Sequence, residues 1–129
     1  MSDHSATGIL GVGQVSVRIR DRARAVAFYR DILGLRFLFE APPQLAFFDC
    51  GGLRLMLAAP ETPEFDHPGS VLYYRVEDIA RSADALRARG VVFVEDPKKI
   101  AALADHDLWI GSFRDSEGNL LALMCEVKR

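Results

Sequence analysis

QVSVRIRDRARAVAFYRDILGLRFLFE at residues 14–40 returns as VLYYRVEDIARSADALRARGVVFVED at residues 71–96. An offset of 57 sets Val17 on Tyr74, Arg18 on Arg75, Asp21 on Asp78, Ala23 on Ala80, Arg24 on Arg81 and Arg30 on Arg87. One residue drops out before Gly34, which then falls on Gly90, with Leu35 on Val91 and Phe37 on Phe93. The match resumes at an offset of 66, where LAFFDCGGLRLML (45–57) lies over GSFRDSEGNLLAL (111–123). There Phe47 meets Phe113, Asp49 meets Asp115, Gly52 meets Gly118 and Leu55 meets Leu121. The change of offset is a net nine-residue insertion in the second copy, between Val94 and Leu108. Two copies joined by the proline-rich AAPETPEFDHPGS describe one duplicated supersecondary unit. The units span about 11–58 and 70–127 of a single 129-residue domain.

Each unit reads as strand, helix and three further strands. Residues 14–20 alternate, with Val15, Val17 and Ile19 on one side and Gln14, Ser16, Arg18 and Arg20 on the other, the period of a half-buried strand. Asp21 caps a predicted helix running to Leu33, and Gly34 stops it; Asp78 and Gly90 repeat both signals. Strands follow at 35–40 and 91–94, then a hairpin turning at Gly51-Gly52 or at Glu117-Gly118-Asn119. Alternation predicts an apolar face of Val15, Val17, Ile19, Leu53, Leu55, Leu57, Leu72, Tyr74, Val76, Leu121, Leu123 and Cys125, packed under the helices. The opposite face carries Gln14, Ser16, Arg18, Arg54, Met56, Val71, Tyr73, Arg75, Leu120, Ala122 and Met124. Large apolar groups beside a few polar ones suit a ligand cleft better than a solvated sheet.

Composition narrows the function. A net charge of −2, with 16 basic and 18 acidic residues, gives no basic field for nucleic acid or a membrane surface. No apolar run reaches the roughly 18 residues of a membrane span. The polar start MSDHSATG has no secretory pattern, which predicts a cytoplasmic protein. Cys50 and Cys125 are the two cysteines, at a spacing that makes neither a disulfide framework nor a zinc site. GILGVG at residues 8–13 precedes a strand instead of joining a strand to a helix, so it is not a phosphate loop.

Two βαβββ units, with FYRDILGL in the first and FRDSEGNLLAL in the second, resemble the vicinal oxygen chelate superfamily. That group includes glyoxalase I, bleomycin-resistance proteins, fosfomycin-resistance transferases and extradiol dioxygenases. The resemblance covers about Gly11 to Val127. It implies an α+β fold in which tandem βαβββ modules form a curved mixed β-sheet cup with helices on the outer face. It also implies a homodimer. The family's metal enzymes take ligands from four strand positions, which here hold Gln14, Met56, Val71 and Ala122. Met, Val and Ala offer no hard oxygen or imidazole donor. No metal and no other cofactor is therefore expected.

The remaining candidates divide between chemistry and packing. His4 lies in the N-terminal tail and His67 in the linker beside Asp66, while His106 lies in ADHD of the inserted loop, as a possible acid–base group. Arg18 and Arg75 are equivalent, each four residues past its vacant metal position. Their donor forks suit a carboxylate or phosphate; the alternative is that each pairs with an acid and braces the rim. The resemblance places an arginine of glyoxalase I, one that contacts a carboxylate of glutathione, at Arg18. Tyr73, Trp109 and Phe113 could stack on a ring, Phe113 being better explained as core, and Met56 and Met124 could line an adaptable wall. The Arg20, Arg22, Arg24 run reads as a solvated helix entrance. Together these predict a small-molecule binding protein of the bleomycin-resistance kind, with Gln14, Ser16, Arg18, Met56, Val71, Tyr73, Arg75, Trp109, Ala122 and Met124 around the ligand. A glyoxalase-type lyase with a rearranged divalent-metal site is the alternative.

Overall fold

The computed structural model describes residues 7, 8, 10, 12–60 and 69–129; His4 and His67 lie outside them. The first unit runs β1 (Gln14–Arg18), α1 (Arg22–Ala27), a π-helical turn (Phe28–Ile32), β2 (Arg36–Ala41), β3 (Leu45–Cys50) and β4 (Leu53–Ala58). The second runs β5 (Leu72–Arg75), α2 (Ile79–Ala88), β6 (Phe93–Ala102), β7 (His106–Arg114) and β8 (Leu120–Lys128). The strands form two four-stranded sheets of matching order, β1-β4-β3-β2 and β5-β8-β7-β6. In each, the first and last strands are parallel and the other pairs antiparallel. This is the expected pair of open, curved, mixed βαβββ sheets.

The local signals act as read. Asp21 accepts from the Arg24 amide at 3.0 Å and Asp78 from the Arg81 amide at 3.1 Å. Gly34 and Gly90 end the helices at φ of 74° and 96°, where a side chain would be strained. The predicted apolar face supplies Val17, Ile19, Leu55, Leu57, Leu121, Leu123 and Cys125 to one core shared by both units, with Tyr29, Phe48, Phe113 and Leu86.

Four expectations are corrected. First, β1 stops at Arg18 rather than Arg20, because the Arg20 and Asp21 amides turn to Glu117 Oε1, at 2.8 and 2.9 Å. Second, the helix widens into a π turn at Phe28, inside which buried Tyr29 donates its hydroxyl to Asp115 Oδ2 at 2.6 Å. Third, Phe37 pairs with Phe48, and Phe93 with Phe113. Phe48, not Phe47, is therefore the equivalent of Phe113, and both are fully buried. The second unit's last turn is one residue longer, so Cys50 stands in the place of Asp115. Fourth, the insertion is no loop: β6 continues to Ala102 and β7 begins at His106, forming a long hairpin. Pro97 of that hairpin lies over Gly111, where a Cβ would stand 3.0 Å from the proline nitrogen and Cγ.

The arginine run is not simply solvated either. Arg24 Nε and Nη2 grip Glu117 at 2.7 and 3.1 Å, and Arg22 lies 3.5 Å from Glu40. Glu117 has no exposed side-chain surface. Burial alone would raise its pKa, but Arg24, the two amides and the Ser116 hydroxyl outweigh it and hold the group at about 2. No described helix is long and apolar enough to cross a membrane.

Two outcomes follow for stability. As pH falls from the ordinary 4.5 of this carboxyl towards about 2, the unfolded chain takes a proton that folded Glu117 does not, so stability drops through that window. Glu117→Gln should cost roughly 2–3 kcal/mol at neutral pH and flatten that part of the acid limb, read by denaturant unfolding across pH. An equally steep limb in the variant would remove Glu117 from this role. Gly111→Ala presses a methyl group on Pro97 backbone and should lower stability by about 1–3 kcal/mol; an unchanged unfolding midpoint would contradict it.

Candidate functional site

The face of each sheet opposite the core is built in register. In the first sheet Ser16, Met56, Phe47 and Phe39 form one row across β1, β4, β3 and β2. Phe39 is 46% exposed and stacks on Phe47, with centroids 4.6 Å apart and planes 24° from parallel. Arg54 lies over the Phe47 ring at 5.4 Å. Its Nε donates to Gln14 Oε1 at 2.7 Å, and the Gln14 amide nitrogen reaches Met56 Sδ at 3.6 Å. The equivalent row of the second sheet is Tyr73, Ala122, Ser112 and Glu95. Tyr73 is 53% exposed, whereas Ala122 is buried.

Phe39 and Phe47 were not legible as site residues. Of the adjacent phenylalanines in AFFDC only one can face the core, and the length of the next turn decides which. With Phe48 inward, Phe47 turns to the open face.

Where the two units meet, a cavity of about 390 Å³ opens between β1 and the start of β5 and β8. Ser16, Arg18, Val71, Leu120 and Asn119 line it, together with Arg114, which the sequence reading did not single out. Arg114 donates to the Gly118 carbonyl at 3.0 Å, and Asn119 to the Arg18 carbonyl at 2.7 Å. Arg18 and Arg75 are not brought into this one cavity. Arg75, the last residue of β5, lines a separate cavity on the helix side. Met56, Met124 and Ala122 remain on the sheet faces, with Met124 paired to Arg75 and Ile110. Trp109 takes the other side of β7, shared with Phe113, and packs against the core, so it is no part of the open face.

The four family metal positions offer one hard donor, the Gln14 amide oxygen, which Arg54 already holds. Met56, Val71 and Ala122 add none, so these residues do not fit the metal of the family's enzymes. Among the described residues, no group of three or more His, Cys, Asp or Glu side chains is arranged to hold a metal ion. His106 sits at the start of β7, its Nδ1 2.7 Å from Asp105 and its Nε2 3.6 Å from Glu126. That Nε2 is buried without a hydrogen-bond partner. The Asp105 carboxyl is held below its usual range by its bond to His106. Asp107 pairs with Arg129. Burial and then Asp49 push the Cys50 thiol up, while buried Cys125 donates its thiol to the Glu77 carbonyl at 3.1 Å.

The fold recurs in solved structures. A member of the Glyoxalase/bleomycin resistance protein/dioxygenase superfamily from Sphaerobacter thermophilus DSM 20745 superposes with a TM-score of 0.77 at 22% identity, covering 92% of this chain and 99% of that one. The lactoylglutathione lyase of Agrobacterium tumefaciens superposes at 0.74 with 22% identity over 90% and 93% of the two chains. TnmS3, an antibiotic binding protein from Streptomyces sp. CB03234, superposes at 0.74 with 24% identity over 93% and 98%. No curated protein matches the sequence. Residues 11–123 match the profile of the Glyoxalase/Bleomycin resistance protein/Dioxygenase superfamily, and the chain belongs to that family.

Proposed function

We propose that the protein binds a small organic anion with an aromatic or apolar part, and does so without a metal. The observation that carries this reading is the open sheet face itself. Phe39, stacked on buried Phe47, and Met56 form an apolar platform there, while the family's metal positions hold Met, Val and Ala. Arg18 and Arg114 supply charge in the adjoining cavity, and Ser16 and Tyr73 supply hydroxyls. Val71, Ala122 and Met124 complete the wall. Exposed Phe39 and Tyr73 invite a cover, and in this reading a second copy of the chain provides it in a cytoplasmic homodimer. The antibiotic-binding relative supports sequestration rather than turnover as the outcome of binding.

Anilinonaphthalene sulfonate, an aromatic anion whose emission rises in apolar sites, is a suitable probe. Arg18→Ala should lose about 1.5–3 kcal/mol of its binding, the range for hydrogen bonds to charged groups. Unchanged affinity in a fluorescence titration would take Arg18 out of the site.

The second reading rests on the likeness to a lactoylglutathione lyase. Protein purified without chelators and reloaded with nickel, zinc, manganese and iron should hold well under one metal per chain by mass spectrometry. It should also leave the methylglyoxal–glutathione hemithioacetal unconverted. One tightly held metal with turnover would reverse the choice.

A further inference from the structure

On the helix side of the second sheet, away from the open face, lies a cavity of about 260 Å³. Its walls come from both units. Leu33 and Leu35 close it from behind the π turn, Leu86 from α2, and Leu123 and Val76 from the sheet. The Tyr74 ring adds to this apolar lining, and Ser82 and Ala85 form the edge on α2. Alternation separates it from the other site: Tyr74 and Leu123 turn to this side, Tyr73 and Ala122 to the open face.

Arg75 and Arg89 also line the cavity, and no Asp or Glu does. Arg89 Nη1 is tied to the Ile32 carbonyl at 3.0 Å, which holds its fork at the cavity and leaves the other N–H groups. Among the described residues neither arginine has a carboxylate partner, although Arg22, Arg24, Arg30, Arg87 and Arg129 all do. The alternation that sends Tyr73 to the open face sends the Arg75 side chain there too, so Arg89 is the cation held beside the leucine-lined space, and it matches a molecule with an anionic head and a hydrocarbon body. The volume lies below the roughly 300–1,000 Å³ of drug-sized sites, so the body is a short alkyl chain or a single ring.

We propose that this helix-side cavity is a second ligand site, specific for small amphipathic carboxylates, with the carboxylate at Arg89 and the apolar body among the leucines. It is independent of the open-face site. Because its walls belong to both units, an occupant would tie the π turn to α2.

Octanoate titrated into carbon-13-labelled protein tests it, with methyl resonances as the readout. Saturable shifts are expected at Leu33, Leu35, Leu86 and Leu123, with the Met56 and Met124 methyls unmoved. Octanol, of the same length without charge, should bind at least about tenfold more weakly, as should octanoate to Arg89→Gln. Ala85→Phe, at an exposed position of α2, should fill the space and remove the shifts while leaving anilinonaphthalene sulfonate binding intact. Shifts confined to Met56 and Met124, equal binding of octanol and octanoate, or shifts surviving in Ala85→Phe would each overturn the proposal. Failure of the open-face reading shows instead in the sulfonate probe, so the two ideas fail separately.

Discussion

Glu117 and Asp115 sit in the same turn, and through them the second unit holds the first. Glu117 receives the Arg20 and Asp21 amides, the Arg24 guanidinium and the Ser116 hydroxyl. Asp115 receives the Tyr29 hydroxyl, the Glu117 and Asn119 amides and the Asn119 side chain. A carboxylate taken out of water is costly unless its lone pairs are filled, and here they are filled from both units. The consequences are local and definite. The amides of Arg20 and Asp21 leave the sheet, β1 ends, α1 begins just after its cap Asp21, and the Arg18 carbonyl is caught by Asn119. One wall of the cavity beside the open face therefore depends on a turn nearly a hundred residues away in sequence.

The duplication gives the first unit no matching grip. Its shorter turn places Cys50 where the second has Asp115, and Gly51-Gly52 in the turn that follows. A half-buried thiol raised by burial is a poor substitute for a carboxylate. Across from it the Tyr74 hydroxyl is buried without a partner, its phenol pushed up first by burial and then by Cys50. Arg81, the equivalent of Arg24, holds no carboxylate among the described residues. The contact is tight at one end of the pseudo-symmetric pair and loose at the other. The helix-side cavity lies at the loose end.

Much of this was legible because the signals are local. Period-two alternation identified the core side of β1, β4, β5 and β8, and Asp21, Asp78, Gly34 and Gly90 marked the helix ends. What escaped depends on counting or on distant partners. Equating Phe47 with Phe113 required knowing where the extra turn residue lies, and a slip of one residue reverses every side chain on a strand. The same slip hid the platform of Phe39 and Phe47. The π turn answers to the contact of Tyr29 with Asp115, and the fate of Arg24 to Glu117; neither partner is near in sequence. The insertion read as a loop because EDPKKIAALADHD carries a proline and a dense set of charges. Its strand is bulged at several points, with Pro97 accommodated by Gly111 on β7.

The equivalent rows across the sheets show how far the two copies have diverged. Ser16, Met56, Phe47 and Phe39 in the first sheet answer to Tyr73, Ala122, Ser112 and Glu95 in the second. The first row is broad, apolar and aromatic; the second is small at Ala122 and Ser112 and polar at its edge. Gln14, the one hard donor left at the family's metal positions, is tied by Arg54 into the supporting layer of the first row. A position that serves metal chemistry in the family's enzymes here steadies the platform through the arginine that lies over Phe47.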